Sequence, residues 1–374
     1  MSNELEIIAL NVPYPPNYGG AIDIYYRIKA LENQGIKINL HSFVYDRPEH
    51  KKLENFNTKY YPRKSHIRSF SLHTPIIINS RQSKILLNNL LKSTNPILFE
   101  GLHTCLYLDH PKLDSHKKIV RLHNVEWQYY KETGKKETSW LKKLFYAYES
   151  KLLEKYEKQL KYANFLCCIS KNDTNYYKKA FPTTTNYLPV FHQHEIVDIN
   201  LGKGDFILYH GNLQINENVE AVEYLLKNIH HKTKKYKWVI AGKNPSKSMI
   251  NKCKDLGIKI ISNPEHDEMN DLIRNAHINI LPTFQDTGIK LKLLNALFIG
   301  RFCLANSPMV ANTGLEDCCI IANEANEFIE QIYRLMEMEF TSTQIEPRKS
   351  ILETDFNNAL NAQRLVGMLE CENA

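Results

Sequence analysis

The sequence predicts an α/β protein of two modules in tandem, each a parallel sheet covered by helices. Three observations carry this. The 374 residues are too many for one ordinary core, at roughly 100–200 residues per domain. Short apolar runs alternate with stretches at helical spacing, the pattern of parallel strands buried on both faces. The alternation lapses once, at 191–204, where Gly202 and Gly204 flank a lysine, and then starts again.

The first module opens with a buried strand over 5–10, broken at 13–20 and followed by a helix over 21–33 that Gly35 ends. A second strand covers 36–43. After a less regular stretch, 97–99 and 118–122 are apolar runs between polar turns. A long amphipathic segment, 125–162, is interrupted near Gly134, and 164–169 is another buried strand, with Ser170 placed to cap the next helix. In the second module strands are expected at 205–209, 237–241, 258–261, 278–281, 301–304 and 318–321. Helices at 216–230, 246–256, 267–276, 289–299 and 324–338 separate most of them. The chain therefore divides into 1–190, a linker at 191–204, a second domain at 205–349, and a last helical segment at 350–374 that is placed to cross back to the first domain. Two such modules are expected to leave a cleft at the C-terminal ends of their strands.

Composition excludes several classes. No apolar run nears the roughly 18 residues that suggest a membrane span. The opening MSNELEIIALNV carries acids where a signal peptide has its basic region, so a cytoplasmic protein is expected. The eight cysteines include no CxxC pair, and the neighbours Cys167–Cys168 and Cys318–Cys319 lie in apolar runs. Adjacent strand residues point to opposite faces, so buried free thiols are expected rather than a metal or disulfide framework. Charge is uneven. Residues 1–200 carry 29 Lys and Arg against 19 Asp and Glu, whereas 201–374 carry 19 against 22. A basic first half suits an anionic partner such as a membrane surface or a lipid phosphate, with a solvated helix face as the plain alternative. No recognition module for nucleic acid interleaves with these charges.

Four stretches can carry chemistry. Pro13-Tyr14-Pro15-Pro16-Asn17-Tyr18-Gly19-Gly20 stands between the first strand and the first helix. Gly19 and Gly20 permit close backbone approach, and a helix start favours an anion. Arg121-Leu122-His123-Asn124-Val125-Glu126 follows a strand, and His123 can exchange a hydrogen bond with a substrate hydroxyl. His103 follows the preceding strand and can share that wall. Asp286-Thr287-Gly288-Ile289-Lys290 opens the helix at 289–299: Thr287 can cap it, and the free amides of Gly288, Ile289 and Lys290 form an anion site. Lys290 or Lys292 adds a charge that can neutralise a diphosphate. Gly211 and Asn212, and Gly242 and Lys243, follow the first two strands of the second module, as ligand-approaching backbone or as simple turns.

These residues resemble the large retaining GT-B glycosyltransferase family that includes bacterial mannosyl- and glucosyltransferases, over nearly the whole chain. The likeness is carried by PYPPNYGGAIDIYYRIKALENQGIKINLHSF, RLHNVEWQYY, YHGNLQINENVEAVEYLL, AGKNP, ILPTFQDTGIKLKLLNAL and PMVANTGLE. The resemblance implies two Rossmann-like domains facing each other across a central cleft. It also implies a UDP- or GDP-sugar as substrate, with no cofactor and no obligatory metal, and retention at the anomeric carbon. In that reading Gly19 and Gly20 contact the donor phosphate or the acceptor, and His123 lies beside the transferred sugar, with His103 on the same wall. Gly211, Asn212, Lys243, Thr287, Gly288, Ile289, Lys290 and Asn295 serve the donor. The family's glutamate pair, spaced eight apart, is replaced here by Thr287 and Asn295.

The function expected is transfer of a hexose-type sugar to a glycan, lipid-linked or protein acceptor in bacterial surface polysaccharide or glycoconjugate synthesis. Two other readings stand beside it: a nucleotide-sugar epimerase on the same architecture, and a non-catalytic nucleotide-sugar binding subunit. The segment 140–162 has apolar residues at helical spacing among many lysines. It reads either as a buried helix with a solvated basic face, the reading preferred here, or as a peripheral contact with the inner face of the cell membrane.

Overall fold

The structure is a computed structural model that describes residues 3–285 and 290–371. The chain falls into two compact units. One comprises the residues up to Gln193 together with those from Asn357 onward, and the other is His194–Phe356.

The first unit opens with β1 (Glu4–Ala9), α1 (Gly19–Asn33), β2 (Lys37–Val44) and β3 (Lys59–Pro62). Then come α2 (Ile76–Asn79), α3 (Lys84–Leu90), β4 (Ile97–Glu100), β5 (Lys118–Leu122) and the helix pair α4 (Glu126–Lys136) and α5 (Trp140–Tyr156). It closes with β6 (Phe165–Cys168), α6 (Lys171–Ala180) and β7 (Thr185–Tyr187). All seven strands are parallel, in the order β3-β2-β1-β4-β5-β6-β7.

Strand alternation builds two cores. Leu5, Ile7 and Ala9 face α1 through Ile24, Ile28 and Leu31, while Ile8 packs on the other side with Phe99, Val120 and Leu153. Cys167 and Cys168 divide between the same two cores as free thiols. At about 1.5–3 kcal/mol for each fully buried large aliphatic side chain, these two layers hold the sheet's strand ends in register. Gly35, at φ +81°, turns the chain out of α1, and Ser170 Oγ accepts from Asp173 N at 3.0 Å to cap α6.

In the second unit the elements are β8 (Phe206–Asn212), α7 (Asn216–Leu225), α8 (His231–Thr233), β9 (Lys237–Lys243), α9 (Lys247–Asp255) and β10 (Lys259–Ser262). They continue with α10 (His266–Asn275), β11 (Ile278–Leu281), α11 (Leu291–Ile299), β12 (Phe302–Ala305) and α12 (Ser307–Val310). β13 (Ile320–Ile321), α13 (Ala325–Glu337) and α14 (Glu346–Leu352) complete the unit. Its six parallel strands run β10-β9-β8-β11-β12-β13. In both sheets the order reverses beside the first strand, between β1 and β4 and between β8 and β11, the place where such sheets bind ligands at their strand ends.

Several expectations change. The strands β3 and β7 went unforeseen because both are short edge strands with polar residues. The break in 125–162 falls between Lys136 and Trp140, and Gly134 lies inside α4. A Cβ on Gly134 would sit 2.9 Å from Tyr146 Cβ, so this glycine lets α5 pack close. The segment 350–370 is two helices, α14 in the second unit and α15 (Asn358–Glu370) in the first, where it packs on α1. Asn357 Oδ1 caps α15 by accepting from Leu360 N at 2.9 Å. Within 191–204, Phe191 is buried in the first core, and Asp198 N donates to Phe298 O at 2.9 Å in the second unit.

Candidate functional site

At the strand ends of the first unit lies a set of buried charges. Asp23 and Arg27 are one turn apart on the inward face of α1, Glu100 ends β4, and Arg121 is the fourth residue of β5. Arg27 Nη1 donates to Asp23 Oδ2 at 2.7 Å, and its Nη2 pairs with Glu100. Arg121 donates to both Asp23 oxygens, at 3.0 and 3.2 Å, and to the backbone carbonyls of Leu188 and Pro189. Phe191 N also donates to Asp23, at 2.8 Å. Burial opposes charge on Asp23, yet Arg121 and Arg27 outweigh it and hold the carboxyl well below the ordinary carboxylate range.

His123 is the outermost member. Its Nε2 lies 3.1 Å from Glu100 Oε2. A carboxylate there accepts from Nε2–H, so a neutral His123 keeps its lone pair on Nδ1, ready to accept from a ligand hydroxyl. Asp23, Glu100 and His123 have the ligand types of a metal site, but the positive charge among them is supplied by Arg27 and Arg121.

His103 and Glu126 form a second pair on the same side of the sheet. His103 Nδ1 is buried without a hydrogen-bond partner and lies 3.9 Å from Glu126 Oε1. Burial pushes the Glu126 carboxyl up to about 8. Burial, with Arg81 beside it, pushes the His103 imidazole well below its usual value. The contact is therefore between a protonated acid and a neutral base, not an ion pair. Such a pair can hold a proton on Glu126 and offer an acceptor at His103.

Gly19 and Gly20 are the first two residues of α1, with Tyr18 at the cap. Arg47 shapes the loop before them, donating from Nε to Val12 O and from Nη1 to Asn17, each at 2.7 Å, while its guanidinium lies 5.0 Å from the Tyr18 ring centroid.

In the second unit, Thr287, Gly288 and Ile289 lie outside the described residues. Helix α11 begins at Leu291, and Lys290, in an extended conformation, is its cap. Lys290 Nζ pairs with Glu217 Oε1 at 2.8 Å, and Thr283 Oγ1 donates to the same oxygen at 2.8 Å. Burial works to raise the Glu217 carboxyl, but Lys290 and Thr283 hold it below its ordinary value. Lys292 turns inward, donating to Asn218 Oδ1 at 2.8 Å with its ammonium over the Tyr209 ring, and burial pushes it down to about 8.

Gly211, Asn212, Gly242 and Lys243 are not turn residues but the last paired residues of β8 and β9. A Cβ on Gly242 would collide with Gly211 O at 1.8 Å, so that glycine serves strand packing. Asn218 Nδ2 donates to Asn212 O at 2.9 Å, which draws Asn212 toward Lys292. Asn295 Oδ1 lies 3.1 Å from His194 Nε2. The structure thus gathers Glu217, Thr283, Lys290, Asn218 and Lys292 at the ends of β8 and β11.

Sequence reading missed Asp23, Arg27, Glu100 and Glu217 as site residues. Asp23 and Arg27 gave a signal: two opposite charges four apart on a face otherwise made of Ile24, Ile28 and Leu31.

Residues 204–338 match the family model described as "Glycosyl transferases group 1". That match lies within the second unit. A Klebsiella pneumoniae protein, described as an uncharacterized 44.6 kDa protein in the cps region, is 28% identical over 349 residues, covering 87% of this chain and 89% of its own length. Among solved structures, Anabaena HepE in complex with UDP matches with a TM-score of 0.68 at 9% identity, over 98% of this chain and 99% of that one. A UDP-forming trehalose-phosphate synthase from Burkholderia xenovorans, in complex with glucose-6-phosphate, matches with a TM-score of 0.61 at 10% identity, over 98% and 100%. With both sheets parallel and helix-covered, the fold is the two-domain α/β GT-B type.

Proposed function

We propose that the protein moves a hexose-type sugar from a UDP- or GDP-sugar to a glycan, lipid-linked or protein acceptor. The reaction proceeds with retention and without an obligatory metal, in the cytoplasm, as a step of bacterial surface polysaccharide or glycoconjugate synthesis. The observation that carries this reading is the group 1 glycosyltransferase match over 204–338, on the unit whose strand ends gather Lys290 and Lys292. The cps-region relative supports the polysaccharide setting.

In this reading the C1–O bond of the donor breaks and its electron pair leaves with the nucleoside diphosphate. The acceptor oxygen forms the new bond to C1 on the same face, and the proton of its hydroxyl passes to the departing diphosphate. Lys290 stabilises the departing phosphates, a charge that develops most fully in the transition state. Fixed by Glu100, His123 accepts from a hydroxyl of the transferred sugar, and the His103–Glu126 pair serves the acceptor side. Lys290 meets a carboxylate, Glu217, where the diphosphate would sit, so donor binding exchanges one anion for another.

UDP and GDP are expected to raise the melting temperature of the protein, and Lys290→Ala to remove that shift. A protein that none of the common nucleoside diphosphates stabilises has no donor site of this kind.

A further inference from the structure

The solvent side of a surface helix is ordinarily its polar side. Over the first half of α5 apolar side chains share the solvent with the expected basic residues Lys142 and Lys143. Trp140, Leu141, Leu144, Phe145 and Tyr148 are exposed, the first three by 68, 61 and 61%. At 3.6 residues per turn they fall within one arc of about 140°. The residues that α5 buries are Glu149, Ser150 and Leu153, in its second half. Phe70 stacks on Tyr148 with ring centroids 6.5 Å apart. That contact joins to the arc a second stretch in which Ile67 is 90%, Phe70 60% and Leu72 66% exposed. Single exposed apolar residues are ordinary, whereas a contiguous set of this size marks an interaction surface.

The charge of the same two stretches says what covers it. Residues 63–73 and 131–151 hold nine Lys and Arg against three Glu. Glu149 is buried, Glu132 is paired with Lys135 at 2.6 Å, and Glu137 with Lys142 at 3.6 Å. Arg68, Lys136, Lys143 and Lys151 are exposed. Lysine is depleted where protein meets protein. Trp, Phe and Leu on one arc with lysines beside them are what an anionic bilayer surface takes up, the rings entering the headgroup region and the ammonium groups meeting lipid phosphates.

We propose that the tip of the α4–α5 hairpin, together with residues 67–72, is a docking surface for an anionic phospholipid bilayer. Net basic charge alone would give a diffuse attraction; the apolar arc gives it a place and an orientation. The docking is independent of the transfer reaction and is read without any sugar donor.

The test is co-sedimentation of the full chain with vesicles of phosphatidylglycerol and phosphatidylcholine in equal parts. Binding is expected to these and to weaken with added salt. The double variant Leu141→Ser/Leu144→Ser changes only exposed side chains and is expected to keep the wild-type melting temperature while binding at least ~10-fold less. Among Trp127, Trp140 and Trp238, only Trp140 is exposed, so vesicles should blue-shift the emission and Trp140→Phe should abolish the shift. Absence of vesicle binding, or binding that the double variant leaves intact, overturns the proposal. So does a concentration-dependent dimer that the double variant dissociates while neither protein binds vesicles, since the face then belongs to a second copy of the chain.

Discussion

Set side by side, the two sheets hold charge at their strand ends in different ways. In the first unit Asp23, Arg27, Glu100 and Arg121 are withdrawn from water and neutralise one another, and His123, at the edge of this network, is left with an uncommitted ring nitrogen. In the second unit Lys290 and Glu217 remain partly exposed, at 14 and 18%, as a single pair with Thr283 beside them. Buried networks of this kind are strongly destabilised when one member is lost, and partly exposed pairs are not. The first site is thus fixed before any ligand arrives, whereas the second offers a cation whose present partner a phosphate can replace.

The largest effect expected from this contrast is on stability. Arg27→Met leaves Glu100 without its guanidinium and Asp23 with one fewer, and should cost about 3–5 kcal/mol in denaturant unfolding. Adding Glu100→Gln should recover part of that loss, with a coupling energy of about 0.5–3 kcal/mol. Two additive single losses would show that the network is not one unit.

A smaller effect should appear with pH. The Glu126 carboxyl titrates near 8 in the folded protein and has an ordinary value of 4.5. Between those values the folded state holds the extra proton, so its contribution to stability is full below about 4.5 and is lost as pH rises toward 8. Glu126→Gln should flatten that decline in melting temperature, and an unchanged profile would remove Glu126 as its source. The smallest effect belongs to the second unit. Glu217→Gln frees Lys290 and should tighten UDP binding by about 10-fold in calorimetry, equal to ~1.4 kcal/mol. Weaker binding would mean that Glu217 helps to hold the donor.

Most strands and helices were legible because parallel strands buried on both faces read as short apolar runs, and their helices show a 3.6-residue period. The same local logic placed Ser170 as a cap and Gly35 as a stop. It failed where the deciding contact is distant in sequence. Glu100 closes an apolar run and reads as a strand's polar end, and only its pairing with Arg27, 73 residues away, shows it as a buried charge. Likewise the outward direction of Trp140 and Leu144 depends on what α4 covers, and periodicity cannot tell an apolar face turned inward from one turned out. His123 and His103 were legible as strand-end residues, but their acid partners were not.

The central claim is glycosyl transfer that uses a cation-lined second unit and a prepositioned histidine in the first. Its most direct test is sugar release from a panel of UDP- and GDP-sugars by the wild-type protein and by His123→Ala. The account predicts that one donor is consumed, and that His123→Ala binds its nucleotide as the wild type does while turning it over at least ~100-fold more slowly. No donor consumed, or turnover unchanged in His123→Ala, would contradict it.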